Sequence, residues 1–216
     1  MSLFNMTPAV FITRILVLLI SLTFHEFSHA WMAVHFGDET PRWAGRLTLN
    51  PFKHLDPVGS LMLLLVGFGW AKPVPINPYN LKRKNPAAVL YVALAGPLSN
   101  FVLAVLAAIP LRFGWVNSVV SSGSFLPSPF EFLVYFLFIN LGLMLFNLLP
   151  IPPLDGEHVL EFVLPGKLAS SYEKIRPYGS FILLGIIVIG QISGFNLISK
   201  ILQPAMQSIA LFLLGG

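Results

Sequence analysis

An apolar run from about Ala9 to Phe36 carries, past its midpoint, the residues His25-Glu26-Phe27-Ser28-His29. The run exceeds the roughly 20 residues that a helix needs to cross a bilayer, so it predicts a tilted or projecting membrane helix. On such a helix, residues four apart lie one above the other on one face. His25 and His29 can therefore aim both imidazoles at one metal ion. Glu26, roughly 100° further round, lies beside that ion and can take a proton from water held there. This is the H-E-x-x-H spacing of zinc hydrolases. The plainer reading is two satisfied core histidines and a buried, protonated glutamate. At membrane depth such groups are costly without partners, which favours the metal.

The rest of the chain is of the same kind. Of 216 residues, 56% are hydrophobic and only 10% charged, with mean hydropathy +0.79, far from the roughly one-quarter charged composition of soluble domains. The expected fold class is an all-α polytopic membrane protein, with residues 1–216 forming one membrane-embedded domain. There is no cysteine, which excludes disulfides and thiolate metal sites. The first apolar run lacks a small-residue cleavage site, and cutting there would remove the histidines. It is expected to be retained rather than removed as a signal peptide.

About four to six membrane segments are expected. After the first, Gly37-Asp38-Glu39-Thr40-Pro41 stops the helix. Trp43 to Leu49 partly alternates and reads as a strand. Ala71-Lys72-Pro73-Val74-Pro75-Ile76 admits only an edge strand or polyproline geometry, so 43–76 is expected to hold a small β-hairpin-like element. Between these, Gly59 to Trp70 is apolar but too short to cross as a helix, which suits a re-entrant segment. A second span covers about Pro86 to Leu111, with a kink expected at Gly96-Pro97, where Ser99 and Asn100 could satisfy freed backbone groups. A third runs from about Phe130 to Leu149 and a fourth from about Tyr178 to Ile192. A short helix is expected after Asp155. Leu197 to Leu214 suits either a further span or an interfacial helix.

Formal net charge is +4, but the basic residues gather in a few loops, which reads as membrane orientation and not as nucleic-acid binding. Arg42, Arg46, Lys53, Lys72, Lys82, Arg83 and Lys84 flank the short apolar segment on both sides. If it dips in and returns, all of them stay cytoplasmic. Arg14 counts mildly against that orientation. The result puts His25 and His29 in the cytoplasmic half of the first span, and Asp155 just past the cytoplasmic end of the third.

A catalytic zinc takes three protein ligands and leaves a position for water. Candidates for the third ligand are His35, His54, Asp56, Asp155, Glu157 and His158. Asp155 follows a stiff Pro-rich run and precedes a glycine, and its alternative role is a helix N-cap. His54 and Asp56 lie in a turn, and His158 suits a solvated helix.

Three stretches together resemble the site-2 protease family of intramembrane zinc metalloproteases, in its compact prokaryotic form. They are His25-Glu26-Phe27-Ser28-His29, Ala95-Gly96-Pro97-Leu98-Ser99-Asn100, and Asn147-Leu148-Leu149-Pro150-Ile151-Pro152-Pro153-Leu154-Asp155-Gly156. Gly45 to Pro57 and Gly67 to Pro75 add to the likeness. The resemblance implies a Zn2+ cofactor held by His25, His29 and Asp155, with Glu26 as general base. It implies that Asn147 holds the substrate backbone, where the plainer role is an interhelical hydrogen bond. It also implies a substrate that is a membrane protein with a transmembrane helix, in the lipid bilayer of a bacterial or archaeal cell. Residues 112–129 are too few for a PDZ domain, and neither a PDZ nor a CBS domain is expected. The rival reading is a non-proteolytic metal-binding membrane protein, or an inactive protease relative. Glu26 speaks against it, since metal binding alone does not require that carboxylate.

Overall fold

A computed structural model describes residues 7–59, 62, 69–116 and 126–216. The first helix, α1 (Pro8–His35), starts with the Thr7 side chain accepting from the Val10 amide and with Pro8 in its first turn. Both are good starts, because the first amides have no partner inside the helix. Its buried face steps by four through Ala9, Thr13, Val17, Ser21, His25, His29 and Ala33. The partner helix α4 (Ala88–Arg112, following two short helices given below) buries Ala88, Val92, Gly96, Asn100, Ala104 and Ala108, again in steps of four. Small side chains along both rows let the two backbones approach closely, the usual solution where lipid removes any hydrophobic drive between helices. The opposite face of α1 exposes Phe11, Leu16, Ile20, Phe24 and Trp31, as a lipid-facing surface should.

Helix α5 (Pro129–Asn147) opens with a capping box between Ser128 and Glu131. Ala104, Ala107 and Ala108 of α4 pack with Leu137, Leu141 and Met144 of α5. Ala210 of α9 (Leu197–Leu214) closes the same core. Met206 reaches Gly142, and the Leu213 carbonyl accepts from Arg112, so α9 lies lengthwise in the bundle. Between α5 and α9 come α6 (Gly156–Val163), α7 (Gly166–Ile175) and α8 (Gly179–Ser193). Among the described residues, five helical segments are long and apolar enough to cross a membrane: α1, α4, α5, Gly166–Ser193 and α9. The protein is an integral membrane protein of all-α class.

The chain between α1 and α4 departs from expectation. Residues 43–49 are not a strand: Trp43 ends the short helix α2 (Thr40–Trp43), and Gly45 follows at φ +67. Arg46 then turns inward and is buried, donating to the carbonyls of Lys53 and Lys72. A glycine in the left-handed region and an inward arginine override the alternation that reads as a strand. Among the described residues there is no sheet, only one antiparallel bridge, Leu55 with Ala71. Residues 72–77 beyond it belong to no helix or strand. Most of Gly59 to Trp70 lies outside the described residues. Its flanks meet, however, through that bridge, through Lys72 N donating to His54 O at 2.8 Å, and through Gly59 against the Trp70 carbonyl. Buried Asp38 ties the end of α1 to the start of α3 (Pro78–Lys84), accepting from Thr40 N and Asn77 N at 3.1 and 2.6 Å. At Pro97, α4 continues as one helix. Ser99 Oγ donates to Gly96 O at 2.7 Å, not to the Ala93 carbonyl that Pro97 leaves without its helical donor, and Asn100 faces His25 and Asn140 instead.

Candidate metal centre

Helical spacing and one crossing build the site. His25 and His29 sit on the buried face of α1, with Nε2 atoms 3.0 Å apart. The Pro150–Pro153 turn folds back on the end of α5, so closely that a side chain at Gly156 would strike the Leu148 and Leu149 carbonyls. This turn delivers Asp155 to the histidines. Asp155 Oδ2 lies 3.2 Å from His25 Nε2, and Oδ1 lies 3.3 Å from His29 Nε2. Asp155 stands at the helix N-cap position but makes no side-chain capping bond. The three residues form a group whose ligand atoms all lie within 4.8 Å of one another.

The chemistry of this triangle calls for a cation. His29 Nδ1 is 2.7 Å from the Val92 carbonyl, which can only accept, so Nδ1 carries the proton. His25 Nδ1 is 2.6 Å from Asn100 Oδ1, with the same consequence. In the neutral imidazoles both Nε2 atoms are then lone pairs, and they face each other and a carboxylate. Asp155 Oδ2 is buried with no hydrogen-bond donor. Three acceptors converging on one point repel unless a positive charge sits among them. Ligands bound tetrahedrally at 2.0–2.1 Å stand about 3.3 Å apart, close to the edges of the triangle. The residues fit zinc.

Glu26 is buried beside the histidines on the wall of a cavity of about 640 Å³. The cavity is also lined by Asn147, by Pro73, Val74 and Ile76 of the segment before α3, and by Leu183 of α8. One Glu26 oxygen lies 4.0 Å from an Arg46 nitrogen. Burial pushes the Arg46 pKa down, opposed by the Glu26 carboxylate. Asn147 donates to the Leu143 carbonyl at 3.0 Å, one turn back on its own helix, so its amide reaches the cavity wall without joining the triangle.

The other ligand candidates are engaged elsewhere. His35 stacks on Trp31, His54 meets the Thr48 carbonyl at 2.8 Å, and Asp56 accepts from Gly59 N at 2.8 Å. Glu157 pairs with Arg176, while His158 lines the cavity and faces Glu161 at 3.5 Å. Two residues of the site escape sequence reasoning. Asn100 stands in a motif that the sequence does single out, yet its partner is 75 positions away. Arg46 reads as one more loop cation, and only its burial gives it away.

A ligand set for one metal, closed inside a bundle of apolar helices, is the mark of an integral membrane metalloprotein. Residues 13–125 and 118–189 match peptidase family M50. The chain belongs to that family, the site-2 proteases that its motifs resemble. It is 39% identical over 205 residues to Putative zinc metalloprotease YwhC of Bacillus subtilis, covering 89% of this chain and 93% of that protein. It is 33% identical over 189 residues to Putative zinc metalloprotease Rip2 of Mycolicibacterium smegmatis, covering 83% and 68% of the two chains. With Putative zinc metalloprotease MJ0611 of Methanocaldococcus jannaschii it shares 31% over 160 residues, covering 73% and 74%. No solved structure matches the chain.

Proposed function

We propose that the chain is a zinc metalloendopeptidase that cuts peptide bonds within or near the membrane-spanning helix of a membrane-protein substrate. The observation that carries this is the triangle of bare acceptors at His25, His29 and Asp155 with the Glu26 carboxylate in the same cavity. In this reading His25, His29 and Asp155 hold zinc, which when bound supplies a Lewis acid that acidifies water and polarises a carbonyl. Glu26 accepts the water proton and returns it to the leaving amine. Arg46, at 4.0 Å, keeps that carboxylate facing the cavity. The Asn147 amide can both donate to and accept from a substrate peptide group. A transmembrane helix hides its peptide groups in its own hydrogen bonds, so substrate must unwind before attack. Residues 73–76, outside any helix and lining the cavity through Pro73, Val74 and Ile76, suit an unwound stretch added as a strand. The basic residues between 42 and 84 support a site towards the cytoplasmic side, in this reading of a bacterial or archaeal cell membrane.

The test is cleavage of a transmembrane peptide by purified protein of measured zinc content, with and without chelator. Glu26→Gln keeps the side-chain volume and removes the proton acceptor, so zinc should stay and turnover should fall by at least ~10²-fold. Cleavage near the wild-type rate by zinc-loaded Glu26→Gln would remove the general base. Zinc loss in that variant would make Glu26 part of the metal site instead.

A further inference from the structure

Behind His25, on the side away from the cavity, two asparagines are buried completely in the bundle. Asn100 of α4 and Asn140 of α5 each have no exposed surface. Their amides form a chain with only one possible sense. Asn140 Nδ2 donates to the Phe136 carbonyl at 2.8 Å. That carbonyl cannot donate, so Asn140 must turn its nitrogen to Phe136 and its oxygen to Asn100. Asn100 Nδ2 in turn donates to Asn140 Oδ1 at 2.9 Å and to the Ser21 carbonyl at 3.3 Å. Both neighbours accept, which leaves Asn100 Oδ1 facing His25 Nδ1 at 2.6 Å. An oxygen there demands a proton on Nδ1 and leaves Nε2 bare. A backbone carbonyl of α5 thus decides, through two side chains and across three helices, which nitrogen of His25 can take a metal.

We propose that Asn100 and Asn140 are positioning residues of the metal centre: a one-way amide relay that sets the tautomer and ring orientation of His25. The proposal rests on His25 being a zinc ligand. It adds that the ligand is competent only because α4 and α5 hold its far side. Partners of this kind, hydrogen-bonded to the non-ligating nitrogen, typically account for ~10–100-fold in metal affinity. A merely structural interhelical hydrogen bond in a membrane contributes modestly to stability and leaves metal affinity alone.

The experiment measures zinc affinity of the full-length protein in detergent by competition with a chromophoric chelator, alongside thermal unfolding. Cobalt(II) absorption, with cobalt in place of zinc, reports the ligand geometry. Asn100→Leu removes the acceptor opposite Nδ1, and zinc affinity should fall ~10–100-fold with a changed cobalt spectrum. Asn100→Asp keeps an acceptor there while losing the donor to Asn140. It should lose stability as Asn100→Leu does, yet hold zinc close to the wild-type level. Asn140→Leu lets the Asn100 amide turn over and should weaken zinc binding by a smaller factor. It also serves should Asn100→Leu not fold. His25→Ala, with the ligand itself gone, should bind no zinc. Zinc affinity and cobalt spectra unchanged in Asn100→Leu or Asn140→Leu, while His25→Ala loses zinc, would overturn the relay. Equal zinc loss in Asn100→Asp and Asn100→Leu would also overturn it. Zinc retained by His25→Ala would instead overturn the ligand assignment on which the relay rests.

Discussion

Gly96→Ala should leave the fold nearly intact and abolish the metal site. Gly96 lies where α4 crosses α1 at the histidines. A methyl group there would stand 2.6 Å from Cε1 of both His25 and His29, and nearer still to His29 Nε2. Carbon contacts settle at about 3.5–4.0 Å, so each ring must retreat by about 1 Å. For stability the terms nearly cancel. Alanine is favoured over glycine in a helix by about 0.8–1.0 kcal/mol, and overpacking costs typically about 1–3 kcal/mol. A net loss of no more than about 2 kcal/mol follows. The metal has no such margin, because ligand distances hold to about ±0.2 Å. Rings displaced five times that far lose zinc by more than the ~100-fold expected for an outer partner. The assay is chelator competition beside thermal unfolding, with Gly142→Ala and Gly185→Ala as controls. The first control has only Met206 Sδ nearby, at 3.9 Å, and the second has nothing within 4 Å. Gly96→Ala with wild-type zinc affinity, or controls that lose zinc equally, would refute the reasoning.

Asn147→Ala should keep zinc but weaken cleavage of a transmembrane peptide, since its amide lies on the cavity wall and outside the ligand triangle; zinc loss or unfolding would return it to an interhelical role. Arg46→Lys should lower the thermal midpoint almost as much as Arg46→Met, by the equivalent of about 2 kcal/mol or more, because an ammonium cannot reach the Lys53 and Lys72 carbonyls together. Full stability in Arg46→Lys would show that charge alone matters there. Single cysteines placed at Lys53 and Lys82 should be labelled from the same, cytoplasmic, side of sealed vesicles. Labelling from opposite sides would make the intervening segment a full crossing and turn over every span that follows.

How legible the molecule is in its sequence varies with the range of the interaction. His25 and His29 are four apart on one helix, so their alignment is a local property that spacing states outright. The helices themselves are equally plain, because long apolar runs in lipid have little choice but to be helical. Asp155 is harder. Six candidates compete for the third ligand position, and only the likeness to a known family singles it out, since its approach depends on how the Pro150–Pro153 turn folds back. Trp43 to Leu49 misleads, because a weak alternation is outweighed by Gly45 and by two carbonyls waiting for Arg46. The contact between Asn100 and His25 is invisible in advance. It depends on the angle and height at which α1 crosses α4, and those follow from two rows of small residues whose fit appears only in three dimensions.

The cavity of about 640 Å³ is small beside a whole membrane-spanning helix. A helix about 10 Å across has a cross-section of about 80 Å², so the space admits about 8 Å of it, or some five residues. A substrate helix of membrane-spanning length, about 30 Å, would therefore engage the cavity over only part of its length. On the proposed reading, the greater part of such a substrate would stay outside as an intact helix, with a frayed window of about one and a half turns at the site. The cost of opening that window falls on the substrate's own helix. Glycine, asparagine or proline near the cut lowers that cost, so rate should follow local helix strength more closely than the identity of the two residues joined by the broken bond. Selectivity then belongs as much to the weakness of the substrate as to the shape of the pocket.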